Sequence, residues 1–314
     1  MKKYNIHILT LIIGLLGLMT SCDEDNGLGP IPPTGNMVLN VSNLEVLPDG
    51  WIYEGWISSG GEVISTGQFQ VDDNGTVKNL TIPVESAKLE NADKFIVTIE
   101  STTDNDPAPS TVKVMSGTFG QYEANLSTND TDGIGSDLLP TSFSGKYLIK
   151  APTTAAIEDD TSGIWFIDNS GGSNIAGLVL PVLSSGWTYE AWVIIDGTPV
   201  STGRFSLANA ADEACNYCGP LAAPNFPGED FIQNAPTGLS FPTNLSGETV
   251  VVTIEPQPDF SSEPSNIVIL GSIIPAIELI ELSKSYEMMN NDVDVPTGKV
   301  LRFFGFDCTN EGCS

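Results

Sequence analysis

Apolar and polar positions alternate with a period of two along most of this chain, and the alternation is repeatedly cut by Gly, Pro, Asn and Asp. Trp51, Tyr53 and Gly55 fall on one face of an extended segment, with Ile52, Glu54 and Trp56 on the other. The run Phe95–Ile99 and the run Thr249–Ile254 are short and β-branched, and Thr111–Met115 and Asn266–Leu270 follow loops that carry Pro. Ser58-Ser59-Gly60-Gly61 and Ile195-Asp196-Gly197-Thr198 have the composition of tight hairpin turns, with returning strands running to Phe69 and Phe205. Helical periodicity is scarce, and its best candidate is the acidic stretch Ala276–Tyr286. Many short strands between turn signals predict an all-β protein built as sandwiches.

The pattern also repeats. Residues 51–69, WIYEGWISSGGEVISTGQF, align without a gap on residues 187–205, WTYEAWVIIDGTPVSTGRF, at an offset of 136, and nine of the 19 positions are identical. Both copies hold Trp51/Trp187, Tyr53/Tyr189, Glu54/Glu190 and Trp56/Trp192, which are read as the core of the motif. Val97-Thr98-Ile99-Glu100 then matches Val252-Thr253-Ile254-Glu255 at an offset of 155, so the second copy carries a 19-residue insertion. A last echo joins Gly145-Lys146-Tyr147-Leu148 to Gly298-Lys299-Val300-Leu301. Duplication of one unit explains the 314-residue length, with repeats expected over 37–155 and 156–314.

The sequence W-x-Y-E-x-W, a turn, S-T-G-x-F, then V-T-I-E and a Pro-bearing loop resembles the extracytoplasmic C-terminal domain of anti-sigma-K factors. The resemblance covers both copies and implies two tandem immunoglobulin-like β-sandwich domains. A working anti-sigma factor also needs a cytoplasmic domain and a membrane helix, and neither is legible here. What the resemblance implies is therefore the sensor part alone, present twice.

One continuous apolar run, Ile8–Met19, breaks the alternation. Lys2 and Lys3 precede it and Thr20-Ser21-Cys22 follows it, the arrangement of a secretory signal over residues 1–21. The run is shorter than the roughly 20 residues a comfortable membrane span needs. A Cys directly after it resembles the lipobox of bacterial lipoproteins, in which the Cys is acylated and becomes the N-terminus. That resemblance makes Cys22 a lipid anchor, and multiple acyl chains hold a protein stably on a bilayer. Residues 22–36, opening with Asp23-Glu24-Asp25 and rich in Gly and Pro, read as a solvated tether. The expected location is the cell envelope, at the outer membrane.

Charge and histidine count then narrow the chemistry. The chain has 12 Lys+Arg against 40 Asp+Glu, a net charge of −28, and one histidine. That histidine, His7, lies in the leader, so the mature protein has no triad, Cys-His pair or His-ligated metal. So acidic a surface repels phosphate backbones, and nucleic acid is set aside as a partner. No enzyme is expected.

Among the remaining candidates, Glu54/Glu190 and Glu100/Glu255 are read as strand carboxylates hydrogen-bonded to turn donors rather than an acid–base pair. The tryptophans Trp51, Trp56, Trp187 and Trp192 are read as packing rather than as a sugar platform. Cys215/Cys218 and Cys308/Cys313 are expected as two local disulfides, because an exported protein meets an oxidising compartment. Zinc and redox catalysis are the alternatives, the second lacking a βαβ context. Asp130, Asp132 and Asp137 alternate before and after glycines as calcium ligands would, against a plain acidic linker. The loop Pro227-Gly228-Glu229-Asp230-Phe231 offers either a contact site or a self-anchoring loop. Together these features lead to a lipid-anchored envelope protein with a non-catalytic binding or structural role toward an envelope protein or glycan. A regulatory sensor acting through a membrane partner and a carbohydrate-binding accessory lipoprotein are the alternatives.

Overall fold

Hairpin chemistry sets the framework. Gly60-Gly61 and Asp196-Gly197 all have positive φ, the two-residue turn whose twist matches that of the strands it joins. The computed structural model describes residues 34–304 except 137, 283 and 292–294. The leader, Cys22, Asp137, Cys308 and Cys313 lie outside the described residues.

The strands of the first repeat are β1 (Thr34–Ser42), β2 (Trp51–Ser59), β3 (Glu62–Phe69), β4 (Val77–Glu85), β5 (Ala92–Ser101), β6 (Lys113–Thr118), β7 (Glu123–Ser127) and β8 (Ser144–Ile149), with a short helix α1 (Ser86–Glu90). The second repeat supplies β9 (Gly163–Trp165), β10 (Ile167–Asp168), β11 (Ile175–Ala176), β12 (Leu178–Val179), β13 (Trp187–Ile195), β14 (Thr198–Phe205), β15 (Gly228–Asp230), β16 (Thr249–Pro256), β17 (Val268–Ile273), β18 (Ser285–Asn290) and β19 (Thr297–Phe303). The protein is all-β, built on two large antiparallel sheets; most of their buried apolar residues form one cluster, and Leu148, Trp165, Ile167 and Cys218 form a second, small one. No described helix is long and apolar enough to cross a membrane.

The order of the first sheet is β3-β2-β5-β6-β7-β19-β1-β4, and that of the second is β14-β13-β16-β17-β18-β8-β9-β15, with β12 also on β8. The two orders superpose position for position, with β19 and β8 traded. Each repeat gives its last strand to the other's sheet. The sequence cut at 155/156 therefore does not separate the sheets: β8 pairs with β18 and β9, while β19 pairs with β1 and β7. The two traded strands are the echo Gly145–Leu148 and Gly298–Leu301. Arg302 fastens the exchange, donating to the carbonyls of Leu89, Ala92, Gly120 and Gln121 in the first repeat.

The S-T-G of each copy has a structural cause. Gly55 pairs with Gly67 and Trp56 with Ser65, leaving Thr66 as the extra residue of a bulge, and Thr202 occupies the same place in the second copy. Gly67 and Gly203 take φ of 113 and 121 there, in the region side chains rarely adopt. The helix expected over Ala276–Tyr286 is replaced by a 3₁₀ turn, Ile277–Leu279, and then by β18. Its first residue has no side-chain cap, and Tyr286 Oη accepts the Glu281 N–H at 2.7 Å, tying the segment off.

Candidate functional site

Trp56 and Trp192 lie on the face of their strands away from Tyr53 and Tyr189, and both are buried. Each anchors the same polar chain. The Trp56 indole N–H donates to Thr98 Oγ1 at 2.8 Å, Thr98 donates to Glu100, and Glu100 accepts the Ser110 N–H at 2.9 Å. In the second copy Trp192 donates to Thr253 at 3.0 Å, Thr253 to Glu255 at 2.5 Å, and Glu255 accepts the Ser265 N–H at 2.9 Å. Glu100 and Glu255 are thus structural acceptors at buried turns. The Trp51 ring packs tilted against Phe260 with centroids 5.1 Å apart, and Trp187 is buried and donates to the Lys113 carbonyl at 2.8 Å. The four tryptophans form no exposed row.

The copies diverge at the preceding glutamate. Glu54 accepts from Ser65 and, at 3.1 Å, from Gln68 Nε2, which uses both of its oxygens. Glu190 accepts from Ser201 through Oε1, but Oε2 is buried with no hydrogen-bond partner. Arg204 stands where Gln68 does, paired in register with Glu190, yet its guanidinium turns to Glu213 at 3.5 Å and Asp259 at 4.0 Å. The Glu190 carboxyl is pushed up to about 7 by burial, with the charges of Glu255 and Asp259 adding to the rise. Glu45, from the first repeat, is raised to about 7 by burial and by the same two acids.

Glu190 forms part of the floor of an open cleft of about 710 Å³. The β13–β14 hairpin supplies Trp192, Ser201 and Arg204, the insertion supplies Glu213, Asn216 and Tyr217, and the loop after β16 supplies Asp259 and Phe260. The insertion seen in the sequence is therefore one wall of the cleft. Such a floor accepts hydrogen bonds, carries a carboxyl that exchanges its proton near neutrality, and is flanked by half-buried aromatic rings.

The remaining candidates fall elsewhere. Asp130 and Asp132 accept from Lys94 at 3.0 and 2.8 Å, and Asp132 accepts from Lys113 at 2.7 Å. Hydrogen bonds from Lys113 and Lys94 hold the Asp132 carboxyl below its usual range. Two ammonium groups thus pair with Asp130 and Asp132, two of the three acids considered as calcium ligands. Cys215 and Cys218 are joined in a disulfide. Their sulfurs and a Glu229 oxygen lie within 4.8 Å of one another, but a disulfide brings no thiolate charge to a cation. The segment read as a loop at Pro227–Phe231 is instead the buried strand β15, paired with β9, with Phe231 fully buried. Asp230 survives there because Thr153 donates to it twice, at 2.7 and 2.5 Å, and Trp165 once, at 2.7 Å. Its neighbour Glu229, read in the sequence only as an acid of the same loop, lies against the sulfur of Cys218.

No family model and no curated protein matches the chain. Among solved structures, the two C2 domains of extended synaptotagmin 2 align over 93% of this chain and 98% of that one, at 9% identity and a TM-score of 0.19. A likeness at that score carries no argument.

Proposed function

We propose that this chain is a lipid-anchored protein of the cell envelope with a non-catalytic binding role, and that its ligand sits in the cleft over Glu190. One observation carries the reading: a buried carboxylate oxygen without a partner on the floor of an open, aromatic-flanked cleft. An oxygen left so costs about 1–3 kcal/mol, and a ligand hydroxyl recovers that cost once the side chains over Oε2 turn aside to admit it. Half-buried Tyr217 and Phe260 suit the apolar face of a sugar, so the ligand class is a neutral glycan. The anchor, Cys22, sets the location by the lipobox resemblance and the acidic tether behind it.

Calorimetric titration of the purified protein with a panel of neutral oligosaccharides tests the site. Saturable binding that Glu190→Ala abolishes supports it, and absence of binding across the panel removes it. Cys22→Ser separately tests the location: the variant leaves the membrane fraction, and a protein still resisting a high-salt wash overturns the anchor.

A further inference from the structure

The two sulfurs of the insertion are unequal. Cys215 is exposed, whereas Cys218 is buried and its Sγ lies 2.8 Å from Oε1 of Glu229, itself 1% exposed. The disulfide joins residues three apart, and a ring that small removes little loop entropy from the unfolded chain. Stability alone gives no reason to bury a carboxyl against one of its sulfurs. The turn between the cysteines is also held still: the Tyr217 carbonyl accepts from Ile232 and Gln233, and its ring packs on Phe231 and Phe241.

We propose that Cys215–Cys218 is a thiol–disulfide exchange site for dithiol partners, with Cys215 the sulfur attacked and Glu229 the proton donor to Cys218. A partner thiolate attacks Cys215 Sγ, the Cys215–Cys218 bond breaks, and its electron pair leaves on Cys218 Sγ. That sulfur takes the Glu229 proton. The partner's second thiol then attacks the mixed disulfide, so the partner is oxidised to a disulfide and Cys215 is released reduced. What a βαβ context gives other CxxC sites is supplied here by the insertion and β15, as one accessible sulfur and one sulfur against a buried acid.

Glu229 carries the proton for this step at neutral pH. Burial pushes its carboxyl up to about 8, against hydrogen bonds from the N–H groups of Tyr217 and Asp230. Asp212, itself raised to about 7 by burial, and the Tyr217 hydroxyl are the other titratable groups around it, while Asp230 turns to Thr153 and Trp165.

The test follows reduction of the Cys215–Cys218 peptide in the full chain by dithiothreitol, read by mass spectrometry after alkylation. Per thiolate, the rate is expected to fall as pH rises past about 8. In Glu229→Gln it is flat with pH and slower at pH 7 by roughly a hundredfold. Run in reverse, Cys218→Ser, which leaves Glu229 in place, is expected to attack a peptide that carries a disulfide and hold it as a mixed disulfide on Cys215, the peptide's second sulfur leaving as a thiolate. A wild-type profile without an inflection, or peptide trapped on Cys218 in Cys215→Ser but not on Cys215, overturns the proposal whether or not Glu229→Gln folds.

Discussion

Arg302, near the end of β19, donates from Nη1 to the carbonyl of Leu89 at 3.0 Å, in the helix of the first repeat. The same guanidinium reaches Ala92, Gly120 and Gln121 and lies over the ring of Phe119 at 4.6 Å. Beside it, Val300 faces Leu39 across the β1–β19 ladder, both fully buried. The last described strand is thus part of the first sheet's core.

Arg302→Ala should therefore destabilise the first sheet by about 2–4 kcal/mol, since several carbonyls lose a charged donor. Hydrogen exchange locates the damage. Faster exchange is expected in β1, β5 and β7, with β16 and β17 unchanged; faster exchange confined to β16–β18 would show that the strand belongs with its own repeat.

Thr98→Val and Thr253→Val each leave a buried indole N–H and a buried carboxyl short of a partner. Each should cost roughly 2–4 kcal/mol in denaturant midpoint measurements. The two costs should be similar, because the chain of donors is the same in both repeats.

Stability should fall as pH rises from about 5 to 8. An unfolded carboxyl titrates near its ordinary value, whereas in the fold burial raises Glu45, Glu190 and Asp212 to about 7 and Glu229 to about 8. The folded protein then holds more protons across this window, so their stabilisation is complete below the unfolded value and lost through the folded one. Asp130, held at about 2 mainly by hydrogen bonds that overcome burial, acts the other way, as does Asp132. Their contribution is lost only as pH falls below the ordinary range. Thermal melts should peak between the two windows, and a melting temperature higher at pH 8 than at pH 5 would contradict this picture.

The hairpins and the duplication are legible because turn chemistry and identical residues are local facts, whereas the bulge at S-T-G shows only in the strand register. The strand exchange is not legible. Gly145–Leu148 and Gly298–Leu301 resemble one another, so either fits either slot, and only the path of the linker through Ile134, Leu138 and Phe143 into the core decides. Glu229 and Asp230 read as loop acids because nothing local reveals that Tyr217, Thr153 and Trp165 will surround them with donors. The cleft was hidden for a related reason: Glu54 and Glu190 sit in one motif, and the difference lies in Gln68 against Arg204 and in the insertion.

That difference yields opposite outcomes for one substitution made twice. Glu54 is half-buried and both its oxygens accept, so Glu54→Gln should weaken its hydrogen bonds and lower stability by about 1 kcal/mol. Glu190 is 5% exposed with one oxygen unpaired and a carboxyl pushed up to about 7. At pH 8 it is charged in a site that disfavours charge, so Glu190→Gln should raise stability there by about 1–3 kcal/mol. At pH 5, where the native carboxyl is already neutral, the gain should vanish. A residue that weakens its own fold at working pH is maintained for something other than the fold, and loss of glycan binding in the more stable variant would complete the case. If Glu190→Gln destabilises as Glu54→Gln does, the carboxylate is a structural acceptor in both repeats and the cleft loses its claim as a site.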